Sequence, residues 1–442
     1  MTAPSRSDAG LTPVERQALE AIDHDELLEF LSTLVAIPTL DGQESRGQRE
    51  IVSWLSRQGL DADVWDIDLE GLSRHPQYSA EVARSEAVGV VCVVGDPARS
   101  AAGRDLLLNG HIDVVPPGDE EAWASSPWVA DIRDGRVYGR GAVDMKGGLC
   151  CALLAAKAVR DAGVRLRGRL SVASAVGEED GGTGTLAMLV RGHRADGAVV
   201  VEPTDLHVVS AQAGSLMFRL VVPGRAAHGS MREEGVSAIE KFLPLFAALR
   251  RLEAERCGVE AEGGVAGDPR NELFARYRLP WPIEVGTIRA GDWASSVPGT
   301  LVAEGRYGVA VGEDTDTARR AFEEAIARAA LGDAWLREHA PLVQWWGGRF
   351  DPARTEHRDP IVTTVAGAVA SVTGAAPPVE GVTYGADMRL LVNTGGIPTV
   401  LFGPGDIRAA HMPDEYVPLA QLRSATEALV LTALRFCGVR GD

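Results

Sequence analysis

The sequence has few cysteines, few aromatic residues and no long apolar run. Its five cysteines are scattered along 442 residues without a C-x-x-C pair, which argues against a disulfide-stabilised secreted domain. No stretch of ~18 uninterrupted apolar residues occurs, so no membrane-spanning helix is predicted. The polar segment 1–10 lacks the basic and apolar regions of a signal peptide. These absences together predict a cytoplasmic protein.

Positive charge is also scarce. The chain has 44 Lys and Arg against 62 Asp and Glu, and this formal net charge of −18 disfavours a nucleic-acid partner. The apolar share of 45% is ordinary for a globular protein. At roughly 150 residues per domain, the length predicts two or three domains. The excess carboxylates are possible metal ligands, although most will be solvated at the surface.

Helical and strand-like segments alternate in the first half of the chain. Apolar residues have helical spacing over residues 25–37 and 50–58, and an apolar, Ala-rich stretch predicts a buried helix over 148–162. Short aliphatic runs bounded by Gly, Asp or Pro predict strands at 88–94, 106–108, 170–175 and 198–201. This alternation predicts an α/β fold in which helices cover both faces of a sheet.

The pattern changes near residue 212. Strand-like runs at 216–222, 283–288 and 301–311 and helical runs at 236–255 and 315–331 predict a compact α+β insert over 212–333. Helical patterns return at 360–373 and 419–436, with a strand at 398–402. The sequence thus predicts one α/β domain, formed by residues 1–211 and 334–442, that a smaller domain interrupts.

Two candidate sites contain an acidic residue beside a histidine or among glycines. His111 and Asp113 follow the strand at 106–108, and their spacing of two directs both to one side. A carboxylate next to a metal-binding imidazole can orient the ring, although a merely polar strand end is the simpler interpretation. Asp144 lies in the glycine-rich segment 139–148. This segment matches neither the G-x-G-x-x-G pattern nor the Walker pattern of phosphate-binding loops, so a metal-binding Asp is favoured there.

Three further signals lie at Glu178-Glu179-Asp180, at Glu202 and at His411. Charge runs are usually solvated loops, and each signal is weak alone. Neighbouring carboxylates that face a cleft need a cation or a shared proton, and one of them can bind metal while the other acts as a general base. Together with His111 and Asp144, these residues suit two divalent ions that share one carboxylate.

Five short motifs contain the candidate residues in chain order. They are G-H-x-D-V-V, G-R-G-x-x-D-M-K-G-G, G-E-E-x-G-G, V-x-E-P-T and a late G-P-G followed by His411. These motifs resemble those of the M20 metallopeptidases, which include acetylornithine deacetylase, succinyl-diaminopimelate desuccinylase, aminoacylase and glutamate carboxypeptidase. The resemblance implies a zinc-peptidase-type catalytic domain, with a mixed sheet flanked by helices, and an inserted lid domain that dimerises. It also implies two zinc ions, for which cobalt or manganese are possible substitutes.

The resemblance assigns roles to individual residues. His111, Asp144 and Glu202 would hold one zinc ion, and Asp144, Glu179 and His411 the other. Asp113 would orient His111, Glu178 would be the general base, and the peptide bond between Asp144 and Met145 would be cis. His228 of the lid would reach the partner subunit's active site and stabilise the oxyanion, although a histidine at that position is more often a surface residue. The implied substrate-binding residues are Arg389, Arg306, Gly403 and Gly405.

Some features depart from the family pattern. Ser295-Ser296 stands where many members have an asparagine, and Glu304-Gly305-Arg306 replaces D-x-R, which puts substrate contacts of the lid in doubt. Segment 65–82 is an insertion relative to compact members of the family and has no assigned function. The resemblance implies hydrolysis of a linear amide in a small N-acyl amino acid or related N-acyl amine. A dipeptidase or carboxypeptidase is the alternative, and a non-catalytic binding protein is less favoured because every expected position is filled.

Overall fold

The computed structural model describes residues 10–95, 103–258 and 269–441. Segment 1–9, on which the argument against a signal peptide rests, lies outside them. The chain forms two compact units: the first comprises Met1–Ser210, Arg354–Glu380 and Ala386–Asp442, and the second comprises Ala211–Ala353 and Gly381–Gly385. No helix in the described part of the chain combines the length and apolarity that a membrane crossing needs.

Helices and strands follow one another along the chain without strict alternation. The helices are α1 Pro13–Glu20, α2 His24–Val35, α3 Ser45–Gln58, α4 Leu69–Leu72, α5 Gly147–Asp161, α6 Thr183–Arg191, α7 Ala238–Cys257, α8 Thr315–Leu331, α9 Ala334–Glu338, α10 Pro360–Thr373 and α11 Leu419–Cys437. The strands are β1 Ala62–Asp66, β2 Val88–Val94, β3 Leu106–His111, β4 Asp131–Arg133, β5 Arg136–Tyr138, β6 Leu170–Ala175, β7 Gly197–Val200, β8 Val208–Gln212, β9 Gly214–Pro223, β10 Ala227–His228, β11 Ile283–Ala290, β12 Ser296–Val297, β13 Thr300–Val309, β14 Leu342–Phe350, β15 Ala353–Arg354, β16 Val379–Val382, β17 Thr399–Leu401 and β18 Tyr416–Pro418.

Local sequence signals set the ends of several helices. Asp359 precedes α10 and its side chain accepts the N–H of Ile361, while Pro360 occupies the first helical position. The same helix ends at Gly374, whose φ of 79° is accessible to glycine at little cost. At α8, Asp314 accepts the N–H of Thr317. Both helices have the bounds that the apolar periodicity predicts.

A mixed sheet flanked by helices forms the centre of the first unit, as the sequence predicts. Its strand order is β1-β2-β6-β3-β7-β17-β8-β15, with β16 also paired to β8. Strands β6, β3, β7 and β17 run parallel to one another, whereas β1 and β2 are antiparallel neighbours at one edge. Helix α5 packs on β3 and β6 and contacts α11. A small three-stranded sheet of β18, β5 and β4 lies in the same unit.

The second unit is an α+β domain, and it ends later than the sequence predicts. Its antiparallel sheet has the order β11-β13-β9-β14, and α7 and α8 enclose a core with that sheet around Phe218, Tyr307 and Phe322. Because β14 pairs with β9, the unit continues to Ala353 rather than ending at residue 333. Strand β14 lies in the part of the chain after residue 333, which the sequence pattern assigns to the first domain.

Candidate metal centre and active site

Parallel strands bring the candidate residues to one edge of the sheet. His111 is the last residue of β3, Glu178 and Glu179 follow β6, and Glu202 follows β7. These three strands are neighbours in the sheet and run in the same direction. Their carboxyl ends therefore meet, and this is the edge at which open α/β sheets bind ligands.

Two groups of possible metal ligands form at this edge among the described residues. The first contains His111, Asp144 and Glu202, and the second contains Asp144, Glu179 and His411. In each group one ligand atom per residue lies within 4.8 Å of the others. Asp144 belongs to both groups, so the two candidate positions are adjacent.

The carboxylate of Asp144 faces both groups at once. Its Oδ1 atom lies 3.1 Å from Nε2 of His111, and its Oδ2 atom lies 3.2 Å from Nε2 of His411. His411 Nε2 also lies 3.0 Å from Oε1 of Glu179. One oxygen per group is the arrangement that a bridging carboxylate requires.

A buried carboxylate holds the backbone of the Asp144 segment. Oε1 of Glu415 accepts the N–H groups of Val143 at 3.0 Å and Asp144 at 3.2 Å, while its other oxygen pairs with Arg140. The peptide bond between Asp144 and Met145 is cis, as the resemblance implies. These contacts fix the direction in which the Asp144 side chain leaves the backbone.

Close backbone packing places the same segment against β7. A Cβ atom on Gly148, at the start of α5, would lie 2.0 Å from the carbonyl oxygen of Val201. Glycine at position 148 therefore allows the helix to approach the residue that precedes Glu202.

Lys146 lies next to this contact in the chain, and its Nζ donates to the carbonyls of Leu34 and Ile37, each at 2.9 Å. Burial lowers the pKa of Lys146 to about 7.

Asp113 contacts His111 mainly through its backbone. Nδ1 of His111 lies 3.0 Å from the carbonyl oxygen of Asp113 and 3.8 Å from its carboxylate. The Asp113 carboxylate instead accepts the N–H of Glu179 at 2.9 Å. Asp113 thus connects the imidazole of one ligand group to the backbone of the other.

Glu178 lies beside both groups without belonging to either. Its carboxylate is buried, and Oε2 lies 4.0 Å from Nε2 of His111. Burial and the neighbouring charge of Glu202 raise the pKa of Glu178 well above its usual range. A buried carboxylate that lies near the ligand candidates without being one of them is placed to accept a proton.

The electrostatics of the cluster fit divalent cations. Burial and the charge of Asp144 raise the pKa of Glu202 well above its usual range, which shows that the carboxylates repel one another. Burial also raises the pKa of Asp144, but hydrogen bonds from His111 and His411 outweigh it and hold that pKa below its usual value. Hydrogen bonds to Asp144 and Glu179 raise the pKa of His411 to about 11. Carboxylate and imidazole donors that favour nearby positive charge form a ligand set suited to zinc, cobalt or manganese.

Comparison with known proteins agrees with this geometry. Residues 107–435 match the profile of peptidase family M20/M25/M40. The chain belongs to this family. The predicted resemblance to M20 metallopeptidases is therefore confirmed, and with it the prediction of a metal-dependent hydrolase of amide bonds.

Individual M20 relatives cover nearly the whole chain. The N-formyl-4-amino-5-aminomethyl-2-methylpyrimidine deformylase of Bacillus subtilis (strain 168) is 28% identical and covers 93% of this chain and 95% of the relative. The acetylornithine deacetylase of Myxococcus xanthus is also 28% identical, over 94% of this chain and all of the relative (100%). The solved structure of the dipeptidase Dug1p from Saccharomyces cerevisiae aligns with a TM-score of 0.72 at 15% identity, over 96% of this chain and 98% of that one. That last likeness supports the M20 fold.

Three of the four predicted substrate-binding residues have their polar groups engaged within the first unit. Arg389 has an exposed fraction of 1%, and its guanidinium donates to the carbonyl of Gly181 at 2.7 Å. The N–H of Gly403 donates to Oγ1 of Thr204 at 3.1 Å, and that of Gly405 donates to Oε1 of Gln421 at 2.6 Å. These groups shape the loops around the ligand groups, and a substrate would reach them only after local rearrangement.

The fourth, Arg306, and the predicted oxyanion residue His228 both lie in the second unit. Nε of Arg306 donates to Oγ of Ser215 at 2.8 Å, and its Nη2 donates to the carbonyl of Thr383 at 2.6 Å. His228 is exposed at the end of β10, and its Nδ1 accepts the backbone N–H of Ser230 at 3.2 Å. Nδ1 also lies 2.7 Å from Oγ of Ser230, so Ser230 contacts the ring through this nitrogen, and a ring with its proton on Nε2 would present Nε2 as a hydrogen-bond donor.

Sequence reasoning missed several buried residues around the ligands. Glu415 and Arg140 support Asp144, and Asp387 accepts a hydrogen bond from Thr185 at 2.5 Å, which in turn accepts one from Asn109 at 2.9 Å. The charge of Asp387 contributes to the raised pKa of Glu178. Glu415 follows closely after His411 in the chain, but its partners are more than 270 residues away, so no local pattern reveals its role.

Proposed function

We propose that this M20 protein hydrolyses the amide bond of a small N-acyl amino acid or related N-acyl amine, with two divalent metal ions at the paired ligand groups. The observation that carries the proposal is the carboxylate of Asp144, whose two oxygens face two separate sets of ligand-type side chains. Glu178 lies beside both sets and is a member of neither. This arrangement supports a centre with two metals and a separate proton acceptor.

Zinc is the metal we propose, with cobalt or manganese as substitutes. His111, Asp144 and Glu202 would hold one ion, and Asp144, Glu179 and His411 would hold the other. Ions bound there would supply Lewis-acid polarisation of the amide carbonyl and would favour deprotonation of water.

The protein's own residues would move the proton and orient the ligands. The Glu178 carboxylate would accept a proton from the attacking water and deliver it to the departing amine nitrogen. Burial and the charge of Glu202 raise the pKa of Glu178, which favours its protonated form. Asp113 would hold His111 through its carbonyl and the Glu179 backbone through its carboxylate.

The proposed substrate class follows from the relatives. Two proteins that align over more than nine tenths of this chain are named as a deformylase and a deacetylase, which are enzymes that remove small acyl groups from nitrogen. The alternative reaction, cleavage of a dipeptide or a carboxy-terminal peptide bond, would use the same ligand groups with a different substrate pocket. A cytoplasmic location and the absence of a nucleic-acid partner stay predictions from composition.

We also propose that the second unit is a lid that forms a homodimer and that His228 acts in the partner subunit's site. Ser230 contacts the His228 ring through Nδ1, so Nε2 would be the donor in the tautomer that carries its proton there. A donor of this kind could stabilise the oxyanion that develops on the substrate. Mixing inactive Glu178→Gln subunits with inactive His228→Ala subunits should restore activity in heterodimers. No recovery despite demonstrated subunit exchange would place His228 outside the partner's site.

The reaction class can be tested with metal-depleted protein that is reloaded with zinc. We expect zinc-dependent release of free amine from N-formyl or N-acetyl amino acids, with much slower cleavage of dipeptides that carry the same side chains. Faster cleavage of dipeptides would instead support the peptidase alternative. If zinc-loaded protein, shown to contain two ions per chain, hydrolysed neither set, the proposed function would be wrong.

A further inference from the structure

The segment that precedes β2 contains a deeply buried cation. The side chain of Arg84 has an exposed fraction of 1%, although the residue lies in the connection between α4 and β2. Its guanidinium contacts carboxylates from two other parts of the first unit. Nε and Nη2 donate to Oε1 of Glu44 at 3.0 and 2.7 Å, and Nη1 donates to Oδ2 of Asp180 at 2.7 Å. Nη2 also lies 3.4 Å from Oδ1 of Asp41.

Asp180 belongs to the loop that carries two proposed site residues. This loop, residues 177–182, includes both Glu178 and Glu179. Oδ2 of Asp180 accepts the N–H of Val82 at 2.8 Å in addition to Arg84, and its carbonyl accepts the N–H of Glu81 at 3.1 Å. The connection between α4 and β2 therefore contacts the 177–182 loop through both side-chain and backbone hydrogen bonds.

The guanidinium also lies against the start of the 177–182 loop. A Cβ atom on Gly177 would lie 2.6 Å from Nη2 of Arg84, so the backbone at this position passes directly beside the cation. Gly177 has a φ of 65°, which glycine adopts at little cost. Arg84 thus contacts the loop on both sides of Glu178 and Glu179, at Gly177 and at Asp180.

Other contacts hold the same loop elsewhere. Asp113 accepts the N–H of Glu179 at 2.9 Å, and Arg389 donates to the carbonyl of Gly181 at 2.7 Å. Neither of these contacts reaches the side chain of Asp180. Arg84 supplies the ionic contacts that tie this part of the loop to Glu44 at the start of α3.

We propose that Arg84 is a positioning residue, which holds the 177–182 loop so that Glu179 meets its ligand group and Glu178 meets the substrate. This inference rests on the proposed function, because it assigns Arg84 a role at the same metal centre. Arg84 lies two residues after the extra segment 65–82, whose last residues Glu81 and Val82 donate backbone N–H groups to Asp180. A guanidinium suits this role because its fork can bind two carboxylates in fixed directions.

The proposal predicts an unequal effect on the two ligand groups. Glu179 belongs to the second group and lies on the 177–182 loop, whereas His111, Asp144 and Glu202 of the first group lie on other segments. Loss of Arg84 should therefore weaken the second ion and spare the first. Residues that orient metal ligands without touching the metal contribute about 10–100-fold to affinity or activity. A purely structural role in stability would not separate the two ions.

The test uses calorimetric titration of metal-depleted protein with Co²⁺, which reports binding without any need for substrate. For Arg84→Gln we expect the dissociation constant of the second ion to rise about 10–100-fold, with little change for the first. We expect kcat to fall by a similar factor and KM to change little. Arg84→Lys keeps the buried charge but replaces the planar guanidinium with a single ammonium group, which cannot reproduce the directed contacts to both Glu44 and Asp180, so it should fold and still bind the second ion more weakly than the wild type.

Two further variants test whether the effect is specific to the contact between Arg84 and Asp180. Arg74→Gln changes another arginine of the same segment, whose side chain has an exposed fraction of 70%, and it should leave both ions and kcat unchanged. Asp180→Asn should weaken the second ion, and its combination with Arg84→Gln should add little because both changes break the same contact.

The outcomes separate this inference from the proposed function. If the wild type bound fewer than two Co²⁺ ions, both would be wrong. If the wild type bound two ions and the folded Arg84→Gln or Arg84→Lys protein bound them equally well with unchanged kcat, only the role of Arg84 would be wrong. Equal weakening of both ions would likewise contradict a role confined to the 177–182 loop.

Discussion

Replacing Glu178 by glutamine separates proton transfer from metal binding. Glutamine has nearly the same shape as glutamate, but its amide cannot accept the proton from water. The Glu178 carboxylate belongs to neither ligand group, so the metal ligands keep their positions in the variant. General-base catalysis contributes about 10²–10⁴-fold, or about 2.7–5.4 kcal/mol of transition-state stabilisation. We therefore expect kcat to fall by at least ~10²-fold while metal content stays that of the wild type.

The neighbouring residue is the matched control. Glu179 lies on the same loop and contacts His411 at 3.0 Å, so Glu179→Ala should lower metal content as well as activity. The assay pairs initial rates on an N-acyl amino acid with zinc content by elemental analysis of the same samples. Equal zinc loss in both variants would refute the division of roles, and so would near wild-type activity in Glu178→Gln.

Three further predictions concern stability. Glu415→Ala leaves Arg140 buried without its partner, so it should lower the free energy of unfolding in urea by about 3–5 kcal/mol. Gly148→Ala should destabilise by ~1–3 kcal/mol because its Cβ would meet a backbone carbonyl, whereas Gly367→Ala, in open space on α10, should stabilise by ~0.5–1 kcal/mol in the same assay. Burial and the charge of Asp180 raise the pKa of Asp41 from 3.8 to about 7. Ionisation of Asp41 therefore opposes folding. Asp41→Asn should have no stabilising effect below pH 3.8, a stabilising effect that grows between pH 3.8 and about pH 7, and a constant stabilising effect above that. A difference in Tm between variant and wild type that does not depend on pH would contradict this.

Many of the helices and strands could be predicted because their signals are local. Aliphatic runs bounded by polar residues give β2 and β6 with the bounds that the structure shows, and helical periodicity gives α8 and α10. Each of these elements carries its own apolar pattern and its own end signals. The chain order of strands and helices then suffices to predict the sheet and the edge at which the ligand candidates meet.

The boundary of the insert could not be predicted in the same way. Strand β14 belongs to the second unit only because it pairs with β9, which lies far away in the chain. Its sequence alternates exposed and half-buried residues, so no continuous apolar run marks it as a strand. Assignment of a segment to a domain depends here on a non-local pairing, which residue patterns do not reveal.

The residues of the candidate site also differ in whether a local sequence pattern reveals them. His111, Asp144 and Glu202 could be proposed from the sequence because each is a ligand-type residue at a strand end or in a glycine-rich segment. Glu415 and Arg84 could not, since their roles depend on partners from separate segments that only the folded chain brings together. Ligand candidates were thus visible in the sequence, whereas the residues that orient them were not.

The most direct test of the two-metal centre is a zinc-edge anomalous diffraction measurement on crystals of the zinc-loaded protein. We predict two anomalous peaks per chain, one on each side of the Asp144 carboxylate, with Glu202 beside the first and Glu179 beside the second. A single peak, or two peaks that do not share Asp144, would contradict it.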